Sequence, residues 1–171
     1  FKVSVLMAFF CRKLGFEVEQ VKLFATGSLL YDLGMFHIND AIRLKKDLYE
    51  MNDKNQLKGH PEKAANFLKE IKDLDPEIVN MACEHHERLD GSGYPRNLTD
   101  EEISIGGRLT AIADVFSAMT SDRFHRKAKA AHEVMKYLFN EAAEKFDQEL
   151  LKVFFHTIGI YPVGSLVMLY S

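Results

Sequence analysis

Apolar residues recur at three- and four-residue spacing along most of the chain, and this pattern predicts a helical protein. The first two amphipathic segments are followed by Gly15 and Gly34. Because glycine commonly ends a helix, we expect the first two helices to end there. A polar stretch from Asn52 to Asn55 is expected to separate the second helix from the third. The predicted helices, in chain order, are 3–14, 18–33, 61–72, 76–87, 105–121, 127–139 and 147–158.

Two helix starts carry specific capping signals. Asp75 precedes Pro76, a pairing suited to the N-cap and first position of a helix. Thr99 with Glu102 three residues later has the spacing of a capping box. The tail 163–169 has β-like composition and predicts one short strand. No internal repeat or flexible linker interrupts the chain, so we expect residues 1–171 to form one all-α domain, a compact multi-helix bundle with a short C-terminal β-like tail.

Composition agrees with a single globular domain. The chain has 171 residues, of which 47% are hydrophobic and 27% charged, enough for a full core. A net charge of −3 argues against binding duplex nucleic acid. No stretch approaches the roughly 20 apolar residues of a membrane span, so no membrane insertion is expected. Cys11 and Cys83 are interpreted as two buried thiols, which favours a reducing, cytoplasmic location. The chain begins inside a predicted helix at Phe1, which suggests a piece of a longer protein.

Two adjacent histidines at the end of the fourth predicted helix carry the strongest chemical signal. His85 and His86 are followed by a loop with two glycines and a proline, which runs from Glu87 to Pro95. Neutral imidazole suits Zn, Fe, Ni or Cu, and two in sequence can reach one ion. By itself, the pair could equally be a solvated helix end.

Asp32 and Asp114 each stand among apolar residues on predicted helices. A buried carboxylate costs several kcal/mol unless it is paired or binds a cation. A surface position, or pairing with an arginine, is the alternative for each. Together with the histidines they make a set whose convergence is typical of a metal site inside a helical bundle. The candidate metal ligands are Asp32, His60, His85, His86 and Asp114.

The order of these motifs resembles the HD-GYP family, a branch of the HD metal-dependent phosphohydrolases. Tyr31-Asp32-Leu33-Gly34-Met35 stands where the family has His-Asp-hydrophobic-Gly-Lys. His60-Pro61 matches the family's His-Pro, and His85-His86-Glu87 with Asp90 to Pro95 matches its namesake signature. Further matches are Arg108 to Asp114, Thr120 to Arg123 and Tyr161 to Gly164.

The resemblance implies a centre with two metal ions, with Fe favoured and Mn or Zn as alternatives. Asp32 would bridge the ions, the three histidines would complete one shell, and Asp114 would bind the second ion. Two ions about 3.5–4 Å apart can lower the pKa of a bridging water and stabilise an in-line displacement at phosphorus. Asp32, Asp114 and Arg108 are the implied catalytic residues.

The implied substrate is cyclic-di-GMP, hydrolysed to pGpG or GMP. Arg108, Arg123 and Lys127 are candidates to neutralise its phosphates, although surface lysines and arginines are commonly just solvated. Gly93 and Tyr94 would shape the pocket rim, where guanine or a partner of the diguanylate-cyclase type could bind. For Tyr94 the alternative is a ring packed under its own loop.

Two departures from the family motif bear on activity. Tyr31 replaces a histidine ligand, and packing is favoured over a role as phenolate ligand because the phenol pKa is about 10. Met35 replaces a cation that the family directs at phosphate. Two function classes therefore stay open: an active phosphodiesterase, or a metal-loaded, weakly active domain that binds nucleotide or protein. A hydrolase for another nucleotide is disfavoured by the Asp90–Pro95 loop.

Overall fold

The structure is a computed structural model in which residues 1–45, 47–122 and 127–159 are described. Within these ranges the chain is helical and contains no β-strand, apart from an isolated bridge between Asp90 and Thr99. The predicted strand at 163–169 lies outside the described residues. The helices are α1 (Lys2–Lys13), α2 (Val18–Leu30), α3 (Asp40–Arg43), α4 (Met51–Lys58), α5 (His60–Lys69), α6 (Pro76–Glu84), α7 (Ile105–Met119), α8 (Ala131–Lys136) and α9 (Gln148–Ile158).

Both capping predictions are confirmed. The Asp75 carboxylate accepts a hydrogen bond from the backbone N–H of Glu77 at 2.8 Å, at the start of α6. Glu102 accepts hydrogen bonds from the backbone N–H and the hydroxyl of Thr99, both at 2.8 Å. The Thr99 cap begins a short 3₁₀ helix, and α7 follows with Ser104 as its own N-cap.

The helix that precedes the candidate ligand Asp32 ends earlier than predicted. The second helix ends at Leu30 rather than Leu33, and Gly34 lies inside a 3₁₀ helix, Leu33–His37. A Cβ at position 34 would overlap the carbonyl oxygen of His60, so glycine allows the 3₁₀ helix to lie directly against α5. The early end of α2 is therefore accompanied by a close backbone contact between the 3₁₀ helix and α5.

The polar stretch expected to separate helices is itself helical, so that prediction was wrong. Residues 51–58 form α4, which leads through Gly59 directly into α5. The Asp53 carboxylate accepts from the backbone N–H of Glu50 at 3.0 Å and pairs with Lys45 at 2.6 Å. These two contacts stabilise the first turn of a helix whose sequence has little apolar periodicity.

Buried aromatic residues from α1, α7 and α9 form the centre of the core. Phe10 and Phe154 are fully buried, with ring centroids 5.0 Å apart in an edge-to-face arrangement, and Phe116 contacts Phe154 at 5.3 Å. Helix α6 packs against α2, α5 and α7. The core therefore fixes the end of α6, the start of α5 and the middle of α7 relative to one another.

Two sequence expectations outside the core can also be compared with the structure. Cys11 is fully buried, and burial raises the pKa of its thiol to about 12. Cys83 is partly exposed, so the expectation of two buried thiols holds only for Cys11. Among the described residues, no helix combines the length and apolarity that crossing a bilayer requires.

Candidate metal centre

Three histidines, one at the start of α5 and two in the turn after α6, meet at one point of the bundle. His60 is the first residue of α5, His85 follows the last residue of α6, and His86 lies in the next turn. The fourth helix was predicted to continue to Glu87, but it ends at Glu84, so the pair lies just beyond the helix. One nitrogen from each of the three rings lies within 4.8 Å of the others.

The hydrogen bonds of two of these rings decide which nitrogen faces the centre. His60 Nδ1 lies 2.6 Å from the carbonyl oxygen of Leu57, and His85 Nδ1 lies 2.9 Å from that of Ala82. A carbonyl oxygen can only accept, so each Nδ1 donates and each Nε2 presents a lone pair. The two Nε2 atoms are 3.1 Å apart. Two facing lone pairs are stabilised by a cation between them, so this pair is suited to a metal ion.

Burial keeps these imidazoles in the neutral form that binds metal. Burial, together with the neighbouring His60, lowers the pKa of His85 to about 3. Burial likewise lowers the pKa of His60. Both rings are therefore neutral at physiological pH, as a metal ligand must be.

Asp32 and Asp114 approach the histidines from other elements. Asp32 Oδ1 lies 3.3 Å from His60 Nε2, and the Asp32 side chain is 50% exposed, which agrees with the surface position that the sequence had left open. Asp114, on α7, lines the same pocket and accepts a 2.7 Å hydrogen bond from the Tyr31 hydroxyl. The Tyr31 ring packs edge-on against His85, with centroids 4.8 Å apart. Tyr31 thus both packs and contacts a candidate ligand.

All five predicted metal ligands line one solvent-open cavity of about 390 Å³. Imidazole and carboxylate are donor types that bind metal ions, and the nitrogens of the three histidines lie close enough together to share one ion. The cavity is also lined by Met35, Tyr49, Lys54, Leu57, Lys58 and Tyr94.

Arg108 does not line this cavity. Its guanidinium pairs with Asp100 at 2.7 Å and with Asp147 at 3.4 Å, and its Nε donates to the carbonyl of Ile103. It joins the segment before α7 to the start of α9, and its predicted role at a phosphate finds no support in this geometry. Arg123 lies outside the described residues.

The remaining predicted substrate contacts divide between the rim and the surface. Tyr94 lines the cavity and packs on His86, with centroids 4.7 Å apart, so both of its expected roles are compatible with the structure. Gly93 does not line the cavity; a Cβ there would overlap the backbone of Glu87. Lys127 is exposed and lies away from the cavity lining.

Two buried glutamates that sequence reasoning did not single out fix the glycine loop. Glu87 is 2% exposed and accepts from the backbone N–H groups of Arg96 at 2.7 Å and Leu98 at 3.0 Å. Glu84 pairs with the Arg96 side chain at 2.7 Å and accepts from the backbone N–H of Ser104 at 2.8 Å. The sequence signal for this role was the presence of two acids, Glu84 and Glu87, on either side of the two histidines.

Two lysines were also missed. Lys54 and Lys58 line the cavity from α4, and Lys58 Nζ lies 5.5 Å from the centroid of the Tyr94 ring. Their spacing of four residues, just ahead of His60, would have indicated one helical face. The two lysines were missed because this segment was predicted to be a polar stretch between helices rather than a helix.

Comparison with known proteins agrees with the motifs. The model of the HD domain family matches residues 2–150. The chain is 34% identical to the cyclic di-GMP phosphodiesterase PA4108 of Pseudomonas aeruginosa, over 99% of this chain and 41% of that protein. It is 32% identical to the 3'3'-cGAMP-specific phosphodiesterase 1 of Vibrio cholerae, over 83% of this chain and 33% of that one. Among solved structures, Bd1817, an HDG"Y"P protein from Bdellovibrio bacteriovorus, superposes with a TM-score of 0.75 at 23% identity, covering 90% of this chain and 49% of that chain.

The chain belongs to the HD domain family, and its motifs place it in the HD-GYP branch. The predictions of the family and of an all-α HD-type bundle are thereby confirmed. The chain spans roughly two fifths or less of the length of these curated relatives.

Proposed function

We propose that this domain is a metal-dependent phosphodiesterase of cyclic dinucleotides, with cyclic-di-GMP as the favoured substrate and pGpG or GMP as product. The observation that carries the proposal is the pair of buried Nε2 atoms 3.1 Å apart, next to Asp32 and Asp114, in an open cavity. The names of the relatives support this substrate class. They include enzymes for cyclic di-GMP and for 3'3'-cGAMP, so 3'3'-cGAMP is the comparison substrate.

The ligand assignment follows the two sides of the cavity. His60, His85 and His86, with Asp32, would hold one ion, and Asp32 with Asp114 would hold the second. When bound, such ions supply Lewis acidity and a water of lowered pKa. We favour Fe because the family resemblance implies it, and Mn and Zn are the alternatives because imidazole and carboxylate suit all three metals.

The protein groups around the ligands have separate tasks. The backbone carbonyls of Leu57 and Ala82 hold the His60 and His85 rings with Nε2 towards the cavity. The Tyr31 hydroxyl fixes one carboxylate oxygen of Asp114. Burial raises the pKa of Tyr94 to about 12, so this phenol stays neutral and can stack on a base or donate to it at the rim.

A second candidate function is a metal-loaded domain that binds a cyclic dinucleotide with little turnover. Met35 lines the cavity where the family motif has lysine, and Tyr31 occupies the position of a ligand histidine. A partner of the diguanylate-cyclase type at the Asp90–Pro95 loop and a cytoplasmic location stay predictions.

The test is anaerobic purification with metal analysis, followed by hydrolysis assays with Fe, Mn and Zn. Cyclic-di-GMP and 3'3'-cGAMP are assayed in parallel, and pGpG and GMP are resolved as products. His60→Ala should lower metal content and abolish turnover, whereas His156→Ala, on an exposed histidine of α9, should change neither. Tight binding of the dinucleotide by well-loaded protein without hydrolysis would favour the second function. A loss of metal or activity in His156→Ala would contradict the assignment.

A further inference from the structure

Cationic side chains favour the binding of a dianionic cyclic nucleotide beside carboxylates, in addition to the charge that bound metal ions supply. The cavity contains Asp32 and Asp114, and position 35 contributes a neutral methionine. Arg108 is held by Asp100 and Asp147 away from the cavity. Among the described residues, the ammonium groups that line the cavity are those of Lys54 and Lys58.

The structure of α4 leaves these two side chains available to a ligand. The nearby acid on the same helix, Asp53, pairs with Lys45 at 2.6 Å. Within the described ranges, neither Lys54 nor Lys58 lies within 4.0 Å of a carboxylate oxygen, and both are exposed. Within these ranges, neither ammonium group is therefore held in an ion pair.

The position of α4 brings this charge next to the candidate metal ligands. Lys58 belongs to the last turn of α4, and only Gly59 separates it from His60 at the start of α5. Its Nζ lies 5.5 Å from the ring centroid of Tyr94, the aromatic residue of the rim. Lys54 lies one helical turn earlier on the same face, because residues four apart are neighbours on a helix.

We propose that Lys54 and Lys58 bind the phosphate groups of the substrate and supply, from α4, the positive charge that Met35 does not provide. This inference rests on the proposed function for the identity of the nucleotide. The phosphate chemistry itself can be measured separately. A flexible ammonium on an exposed helix face suits such a contact, since lysine binds phosphate as a mobile point charge.

The experiment compares Lys54→Met, Lys58→Met and the double variant with wild type, each loaded with metal. Methionine keeps the side-chain length and the helix propensity, so folding should be unaffected. The probes are the slowly hydrolysed bis-phosphorothioate analogue of cyclic-di-GMP and inorganic phosphate, with affinity measured by calorimetry at low and moderate salt. Metal content is measured in every sample. Lys69→Met, on an exposed lysine of α5 that does not line the cavity, is the matched control.

We expect each single variant to bind the analogue about tenfold more weakly and the double variant about a hundredfold, with metal content unchanged. The affinity of the double variant should depend less on salt than that of wild type. Adding Met35→Lys to the double variant should restore part of the affinity, because it returns a cation to the same cavity. Lys69→Met should bind as wild type does.

The outcomes separate this inference from the proposed function. Wild type that binds the analogue with an affinity unchanged in the double variant would overturn the lysine assignment and leave the function standing. Lysine-dependent binding of inorganic phosphate without binding of the analogue would contradict the cyclic dinucleotide and retain the lysines as phosphate ligands. Wild type that binds neither probe would overturn both.

Discussion

At the scale of single residues, the site depends on which atoms carry protons. The carbonyls of Leu57 and Ala82 fix the protons of His60 and His85 on Nδ1, and the Tyr31 hydroxyl donates to Asp114. A neutral hydroxyl that donates to a carboxylate does not bind a metal ion itself, whereas an imidazole can bind one through its lone pair. The Tyr31 position should therefore control how well the second ion is held.

Tyr31→His should raise metal content towards two ions per chain, because it replaces a neutral donor with a nitrogen ligand beside Asp114. Tyr31→Phe should leave the content of the histidine-held ion unchanged, since the ring contact with His85 is retained. Metal analysis of protein purified anaerobically measures both. A visible tyrosinate band in iron-loaded wild type that disappears in Tyr31→Phe would instead show that Tyr31 is a phenolate ligand.

The protonation of His85 should also appear in the stability of the metal-free protein. Its folded-state pKa of about 3 lies below the ordinary value of about 6.5, so the unfolded chain binds more protons between these values. The contribution of this ring to stability is therefore lost as the pH falls below about 6.5. We expect the free energy of unfolding of wild type to fall by up to about 1.4 kcal/mol per pH unit more steeply than that of His85→Gln.

Urea denaturation of chelator-treated protein at several pH values between 7.5 and 4.5 checks this expectation. His156→Gln serves as the control, because that histidine is exposed. Parallel curves for wild type and His85→Gln would show that the ring is not buried in its neutral form.

At the scale of elements, the site is made by a backbone contact between a 3₁₀ helix and α5. Gly34 lies against the carbonyl of His60, and this contact brings Asp32 to within 3.3 Å of His60 Nε2. Asp32 lies at the start of the 3₁₀ helix and His60 lies on α5, so each segment provides only one of the candidate ligands. The spacing between them therefore decides whether carboxylate and imidazole can share an ion.

Gly34→Ala should separate these two elements, because the added Cβ would overlap backbone atoms that cannot rotate away. We expect a loss of about 1–3 kcal/mol in stability and a lower affinity for metal. The control is Gly59→Ala, where φ is −81° and the new Cβ would lie 3.4 Å from the Gln56 carbonyl oxygen. Chemical denaturation and metal titration measure both variants, and equal behaviour of the two would refute the packing argument.

At the scale of the whole molecule, the ligands meet because one apolar core holds their helices. Phe10 of α1 and Phe154 of α9 contact each other in its centre, while Phe9, the neighbour of Phe10, is 64% exposed. The adjacent pair thus offers a comparison in which residue type and helix are the same and only burial differs.

Phe10→Ala should lower the free energy of unfolding by about 3–5 kcal/mol, the range for truncating a buried aromatic residue. Phe9→Ala should cost less than about 1 kcal/mol, since most of its side chain already contacts water. Denaturation in urea gives both values. Equal losses would mean that the helix face assigned to the core is wrong.

The sequence by itself determined the helical class, the capped starts of α6 and the 3₁₀ helix before α7, and the residue types able to bind metal. These features follow from local rules: the 3.6-residue period, the side-chain chemistry of the caps and the affinity of imidazole and carboxylate for cations. The polar helix α4 was not predicted from the sequence, because its stability comes from the Asp53–Lys45 pair and a cap rather than from apolar periodicity.

Only the tertiary structure decided how these residues are used. Asp32 proved half exposed because α2 ends early, where the 3₁₀ helix must fit against α5. The carboxylates that pair with Arg108 belong to Asp100 and Asp147, which lie 8 and 39 residues away along the chain. Lys54 and Lys58 reach the cavity because α4 leads into α5. The 3.1 Å approach of the His60 and His85 Nε2 atoms joins residues 25 positions apart. Contacts between distant segments depend on packing and loop geometry, which local sequence patterns do not encode.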